Sequence, residues 1–301
     1  LGLFSEDPEW SYEPLLREIA ALGATHVELV YAWYLRDGTS DDLHPHPRYT
    51  APPHAIGRAA RHARALGLKV ALLPILRLED TRGPHGWRGA LRPRAPATFW
   101  RSYTQWMVQQ ATLARDVGAT LLAIGSELSS LDGDPTPWRP IAAAVRRVFS
   151  GALVYSANFD HYQAVGLWPL VDYAGVSSYF ELESTDRAAS VDRLAASWGR
   201  IKTRLVAFQA TVGKPLLFTE LGYLSQDGTA LWPWKEQATE AVDLEEQRRC
   251  FAAFIRTWRH EPALAGVYVW NWYGWGGPTS RGYTPRGKPA AEELRRWYRE
   301  R

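Results

Sequence analysis

Three stretches of the chain share one grammar: "ALGLKVALL" (65–73), "DVGATLLAIG" (116–125) and "TVGKPLLF" (211–218). Each runs from the end of an amphipathic helix through a glycine into a short run of Val, Leu and Ile. The glycine supplies the left-handed backbone that closes a helix. The run that follows lacks the polar alternation of a half-exposed strand, so both its faces must be buried, as in a parallel sheet covered by helices. The same alternation extends from end to end. "LGLF" (1–4) precedes "YEPLLREIAALG", with Gly23 as its C-cap, and "THVELVYAWY" (25–34) precedes "HAIGRAARHARALG". "LKVALLPIL" (68–76) precedes a helix over 97–117, and "ATLLAIGSE" (119–127) a helix over 137–149. "ALVYSAN" (152–158), "VDYAGVSSYF" (171–180), "KPLLFTE" (214–220) and "AGVYVWNW" (265–272) each lead to a further helix, over 161–167, 190–212, 243–259 and 289–299. Eight strand–helix pairs without a break in composition predict an α/β fold, a single (β/α)8 TIM barrel over residues 1–301. A doubly wound open sheet is the alternative. It would carry a glycine-rich phosphate loop after its first strand, and this chain has none there.

Composition narrows the function classes. With 46% hydrophobic and 22% charged residues, 301 residues suffice for a large core. The formal net charge is +3 and the positive residues are scattered. The basic stretch "RHARALGLK" is the solvated face of an amphipathic helix, so no nucleic-acid partner is indicated. Cys250 is the only cysteine, which excludes an intrachain disulfide and a cysteine metal cluster. No run approaches the roughly 20 apolar residues of a membrane span. The first residue is Leu and "LGLF" already reads as a strand, so an N-terminal signal peptide or linker is expected to precede it natively. A secreted, periplasmic or envelope location follows from that expectation, with cytoplasm as the alternative. The oligomeric state is not encoded in any visible pattern. The 15 tryptophans and 14 tyrosines are the unusual feature. Trp87, Trp232, Trp234, Trp272 and Trp275 fall in Gly- or Pro-rich connections, where flat aromatic faces suit stacking on sugar rings. Packing of the loops accounts for others.

In a barrel of this kind the chemistry sits where strands run into their C-terminal loops. Glu127 ends the fourth predicted strand and Glu220 the seventh. Two carboxylates on one rim are the minimum equipment for hydrolysing a glycoside: one protonated to donate to the leaving oxygen, the other ionised to attack the anomeric carbon or activate water. Glu28, Glu79, Asp80, Asp160, Glu181 and Glu183 are competing carboxylates. Glu28 lies inside a strand close to His26, where a buried ion pair and a substrate contact are both open readings. Asp172 starts its strand and belongs to the opposite, structural end. The histidine tract "LHPHPRY" (43–49) lacks an accompanying acidic or cysteine ligand set and reads as a solvated loop. "LDGDP" (131–135) lacks the remaining positions of a calcium loop. No metal or organic cofactor is expected.

"IGSEL" after the fourth strand and "FTELGY" at the seventh resemble the acid/base and nucleophile segments of clan A glycoside hydrolases. The chain most resembles glycoside hydrolase family 113, typified by β-mannanases. The resemblance also rests on "AWY", "ARALGLKV", "WRG" (87–89), "YSAN", "VDYAGVSSYF" and, most specifically, "VWNW…GYTPRGKPA". It implies a retaining mechanism with Glu127 as general acid/base and Glu220 as nucleophile. It implies Trp270 as the aromatic floor beneath the sugar, Tyr179 near Glu220, and Trp33 and Asn158 along the same mouth. Trp272 is counted with this sugar-binding set. The insertion "SQDGTALWPWKEQ" (225–237) is expected to add Trp232 and Trp234 to a subsite. Ser126, Leu73 and Glu181 stand where the family pattern has Asn, Lys and Pro, and these positions bear on which sugar is accepted. The carbohydrate is first a β-1,4-mannan. Another β-glycan (a glucan, chito-oligosaccharide or peptidoglycan strand) and a non-catalytic sugar-binding barrel are the alternatives.

Overall fold

The computed structural model describes residues 1–183, 185–236, 239 and 241–300. Seven strands are hydrogen-bonded in sequence order: β1 (His26–Leu35), β2 (Lys69–Leu78), β3 (Leu121–Ser126), β4 (Ala152–Asn158), β5 (Tyr173–Ser177), β6 (Leu216–Leu221) and β7 (Leu264–Val269). Helices alternate with them: α1 (Glu13–Leu22), α2 (Pro53–Ala65), α3 (Pro96–Asp116), α4 (Trp138–Arg146), α5 (Val191–Val212), α6 (Leu244–Trp258) and α7 (Ala290–Arg299). This is the (β/α)8 fold class with two differences from the sequence reading. The expected first strand is a single parallel bridge, Gly2 to Val30, continued by the Leu3 N–H donating to the Val30 carbonyl at 2.7 Å. The predicted fourth and seventh strands are therefore β3 and β6. Residues 161–170 also differ, forming two single 3-10 turns, Tyr162–Ala164 and Trp168–Leu170, because Gly166 and Pro169 interrupt a longer helix.

The glycine grammar is realised in the backbone. Gly23, Gly67, Gly118 and Gly213 follow α1, α2, α3 and α5, all with φ between 64° and 97°, where a side chain would be strained.

The residues group into two compact units, Gly2–Arg17 with Thr25–Val176, and Leu1 with Glu18–Ala24 and Ser177–Arg301. In the first, β1 and β2 pair in parallel over their whole length, from His26 opposite Lys69 to Leu35 opposite Leu78. Every residue of β3 is buried, and its pairing with β4 shifts register between Ala123 and Ser126. Trp138 packs edge-on against both Tyr103 and Tyr155, with ring centroids 5.3 and 5.6 Å away. In the second, every residue of β6 is buried, and β6 pairs with β7 through a register shift between Phe218 and Leu221. Its core is Trp198, Phe218, Phe254 and Trp258, with Trp198 edge-on to Phe254 at 5.3 Å and Phe218 edge-on to Trp258 at 5.0 Å. Each such aromatic pair contributes about 0.5–1.5 kcal/mol beyond the area it buries. The β3–β4 shift falls just before Glu127, and Glu220 lies inside the later of the two β6–β7 shifts, the kind of place where irregular pairing re-aims a side chain. No helix among the described residues is long and apolar enough to cross a membrane.

Candidate active site

Strand β3 delivers Glu127. Gly125, two residues earlier, is where the strand meets the aromatic core. A Cβ there would stand 2.9 Å from Tyr155, 3.0 Å from Trp138 and 3.1 Å from the Tyr103 hydroxyl. Glu127 itself has φ 54° and is the only non-glycine with positive φ among the described residues. That conformation costs about 1–3 kcal/mol and persists only where the surroundings over-determine it. Here they do. The Glu127 N–H donates to the Ser156 carbonyl at 2.7 Å, and the next N–H, of Leu128, donates to the Tyr155 hydroxyl at 2.9 Å. Tyr155 in turn donates to Asp132 Oδ2 at 2.7 Å, and His161 Nε2 lies 3.0 Å from Asp132 Oδ1. Burial pushes the Asp132 carboxyl up from its ordinary value, against the pull of the Tyr155 hydroxyl and His161. Burial also pushes the Tyr155 phenol well up, which keeps it a donor. The "LDGDP" aspartate is thus a buried acceptor beneath the Glu127 loop.

Glu127 is 9% exposed, and Arg88 Nη2 donates to its Oε2 at 2.6 Å. Arg88 opens a 3-10 turn, Arg88–Ala90, and that turn is fastened to the loop after β3. The Ser130 N–H donates to the Gly89 carbonyl at 3.0 Å, and the Ser130 hydroxyl to the Leu91 carbonyl at 2.9 Å. Trp33 is half-buried near the end of β1, its ring 6.0 Å from Trp106. Asn158 ends β4, its side-chain oxygen accepting from the Phe159 N–H at 3.1 Å. Glu28 is buried. In the histidine tract, His44 faces Glu79 at 2.9 Å, while His46 accepts two backbone N–H groups and stacks on Tyr49 at 4.6 Å.

Strand β6 delivers Glu220, which is 4% exposed. The Tyr179 hydroxyl donates to its Oε2 at 2.7 Å. Both the N–H and the hydroxyl of Ser178 donate to the Glu220 main-chain carbonyl, each at 2.7 Å. The turn that follows needs Gly222 for close approach. A Cβ there would stand 2.6 Å from the Trp270 carbonyl oxygen and 3.0 Å from the Tyr283 ring. Trp270 follows β7, half-buried, its N–H donating to the Leu221 carbonyl at 2.8 Å. The Trp270–Asn271 peptide is cis. Trp272 is 9% exposed, and its indole N–H donates to Glu18 at 3.0 Å. Tyr179 meets Tyr283 edge-on at 5.8 Å, and the Tyr283 hydroxyl donates to the Pro233 carbonyl at 2.8 Å.

That last bond ties in the insertion over 225–237, whose final residue, Gln237, lies outside the described residues along with Ser184, Ala238, Glu240 and Arg301. Buried Glu246 accepts the N–H groups of Gly228 and Ala230 at 2.6 and 3.0 Å, and burial raises its pKa. Asp227, Asp243 and Glu246 lie close enough to share a cation. Each has other work, however: Asp227 pairs with Arg187, and Asp243 caps α6 through the Glu246 N–H. Within the insertion, Trp232 is half-buried between the cations of Arg187 and Lys235, whose charged groups lie 5.7 and 5.6 Å from its ring. Trp234 is 41% exposed. Arg88, Ser178 and Tyr283 carry no signal as strand-end carboxylates, because none is an acid and all lie outside the strands. "WRG" and "GYTPRGKPA" were the signals that contained Arg88 and Tyr283.

None of the curated proteins matches the chain. Solved structures do. The family 113 β-mannanase AaManA from Alicyclobacillus acidocaldarius, in complex with ManMIm, is similar at 26% identity and TM-score 0.84, covering 96% of this chain and 91% of that one. A family 113 β-1,4-mannanase complex is similar in fold at 19% identity and TM-score 0.88, covering 100% and 98%. A further family 113 β-1,4-mannanase structure gives 21% and 0.86, covering 96% and 93%. The sequence profile of Glycoside Hydrolase Family 113 matches residues 6–278. Strand-end carboxylates held by directed donors, a parallel strand–helix fold and a profile match over most of the length converge on one conclusion: this chain belongs to glycoside hydrolase family 113.

Proposed function

We propose that the protein hydrolyses β-1,4-linked mannan or manno-oligosaccharides with retention of configuration, using Glu220 as nucleophile and Glu127 as general acid/base. The observation that carries the assignment of Glu220 is the 2.7 Å hydrogen bond from Tyr179 to its Oε2. That phenol fixes the direction of a buried carboxylate at a strand end, as a nucleophile aimed at an anomeric carbon requires. Attack by Glu220 expels the leaving sugar as Glu127 protonates its oxygen. Water activated by the now-ionised Glu127 then releases the glycosyl group, and the two inversions restore the original configuration. The mannan assignment draws on the relatives, which are described as β-mannanases. Ser126, Leu73 and Glu181 favour one second reading, the same mechanism on a different equatorial β-glycan.

The two roles separate under substitution. An acid matters in proportion to how poor the leaving group is, whereas the nucleophile is needed for every substrate. Glu220→Ala should abolish turnover of glycans and activated aryl glycosides alike. Glu127→Ala should stop glycan cleavage but spare the first step on an aryl glycoside. Azide should then restore turnover and yield the β-glycosyl azide, while any azide product of Glu220→Ala should be the α anomer. Proton NMR reads the configuration. Reversed anomers would exchange the roles, and undiminished glycan cleavage by both variants would overturn the hydrolase assignment.

A further inference from the structure

Trp275 is 87% exposed, whereas no other large apolar side chain among the described residues exceeds 46%. Its backbone is nevertheless held firmly. Arg286 Nη1 donates to the carbonyls of Gly274 and Trp275 at 3.0 and 3.3 Å. The same guanidinium grips Glu18 in a two-pronged pair at 2.6 and 2.7 Å. The Gly277 N–H returns to the Arg286 carbonyl at 2.8 Å. Gly276 cannot be anything larger, since a Cβ would stand 2.2 Å from that carbonyl oxygen. At Gly274 and Gly277, by contrast, nothing lies within 4 Å of where a Cβ would be. A tryptophan kept for packing would turn its ring inward. This one has a pinned main chain, neighbours with no side chains and open indole faces, an arrangement that lowers the entropic cost of gripping a flat ligand.

Trp275 borders a pocket of about 410 Å3, within the range of small-molecule sites. The aromatic residues Tyr273 and Tyr283 share its lining with the polar residues Asn271, Ser280 and Arg281. A pyranose has the matching chemistry, with C–H groups on its face and hydroxyls around its edge. The lining carries one acid, Glu236, against one base, Arg281, which suits a neutral sugar over a uronic acid or an amino sugar. The pocket wall is also linked to the nucleophile through packed side chains: Tyr283 meets Tyr179 edge-on, and Tyr179 holds Glu220. We propose that this pocket is a subsite for a neutral hexose unit of the glycan chain, with Trp275 as its stacking platform. The proposal rests on the hydrolase reading above and adds a specific place for a sugar that is not itself cleaved.

The test is the chain-length dependence of kcat/KM in the intact protein, with β-1,4-manno-oligosaccharides of two to six units and an aryl β-mannoside as probes. Parallel cello- and chito-oligosaccharide series cover the case of a different sugar. Trp275→Ala should lower the ratio of long-oligosaccharide to aryl-glycoside kcat/KM by roughly tenfold, the scale of one aromatic contact. The loss should appear in KM, and Trp275→Phe should recover most of it. Thermal melting separates this from misfolding. A loss equal on every substrate, with a lowered Tm, would make Trp275 structural and overturn the subsite. A wild-type length profile in Trp275→Ala would overturn it as well, leaving the hydrolase reading intact. A wild-type protein that cleaves none of these glycans would overturn the hydrolase reading and the subsite with it.

Discussion

Glu127 and Glu220 end similar strands but are held in different ways. Glu220 stays within β6, where the pairing with β7 shifts register. Its neighbours in the preceding loop, Ser178 and Tyr179, fix its carbonyl and its carboxylate with neutral hydroxyl and amide donors. Glu127 leaves the strand through a left-handed backbone at φ 54° and is held by a guanidinium from a separate loop, itself tied on through Ser130. The first arrangement needs one loop, the segment that follows β5 directly, to meet the end of β6. The second depends on loops meeting correctly, and stores strain that those contacts must offset. Under the proposed roles, the acid/base would be held by a charged donor on a separate turn and the nucleophile by hydroxyl and amide donors.

The largest effects should come from cutting the two clamps. Hydrogen bonds to a charged group contribute about 1.5–3 kcal/mol, or roughly ten- to a hundredfold in rate. Tyr179→Phe should slow glycans and activated aryl glycosides by similar factors in that range, since nucleophilic attack is common to both. Arg88→Met should slow glycans by a comparable factor and spare the first step on the aryl glycoside. Pre-steady-state measurement on both substrate types decides it, and equal losses for both variants on both substrates would erase the contrast.

Next come the two crowded glycines. Gly125→Ala presses on the Tyr103–Trp138–Tyr155 cluster, and Gly222→Ala on the Trp270 carbonyl and the Tyr283 ring. Overpacking typically costs about 1–3 kcal/mol. Denaturant melts should show losses of that size for each. Gly222→Ala, which crowds side chains next to Tyr179, should in addition reduce the activity of the folded fraction.

A third test concerns Lys288 in "GYTPRGKPA". It is buried and donates to the Ser225 hydroxyl at 2.7 Å and the Gly282 carbonyl at 2.8 Å. Burial lowers its pKa from 10.5 to about 8. Between those values the unfolded chain binds the proton more readily than the folded one, so stability attributable to this group rises with pH across that window. The penalty is fully present below pH 8. The stability of the wild type relative to Lys288→Met should therefore increase from pH 8 to 10.5, by at most about 1.4 kcal/mol per pH unit. A flat difference in denaturant titrations would show that the ammonium is not buried as described.

The smallest effects should come from the insertion. Trp232, between two cations, should cost about 1 kcal/mol of stability on replacement by Ala, while Trp234→Ala should leave the melting curve nearly unchanged. If Trp234 borders a bound glycan, its loss should appear in KM alone.

Much of the scaffold was legible because it follows from local rules. A glycine after a helix end and an unbroken apolar run predict a left-handed C-cap and a doubly buried strand whatever surrounds them. The first strand was misjudged because "LGLF" is apolar enough to be a strand, but its single bridge depends on what Val30 offers across the gap. At the site, the sequence identified carboxylates at strand ends, since position along a strand is itself a local property. It could not show that Trp272 spends its indole N–H on Glu18 or that Trp232 sits between two cations. Glu18 and Arg187 lie far away along the chain from the tryptophans they meet.

By itself, then, the amino-acid sequence determined the strand–helix alternation, the family resemblance and the two glutamates. Only the tertiary structure decided which groups hold them. Arg88 reaches Glu127 across 39 positions and Tyr179 reaches Glu220 across 41. It also decided which tryptophan is presented to solvent and which is packed away. Backbone conformation is set by neighbours within a few residues, whereas a directed hydrogen bond or an open aromatic face exists only once distant loops have been brought to within about 3 Å of each other or kept apart.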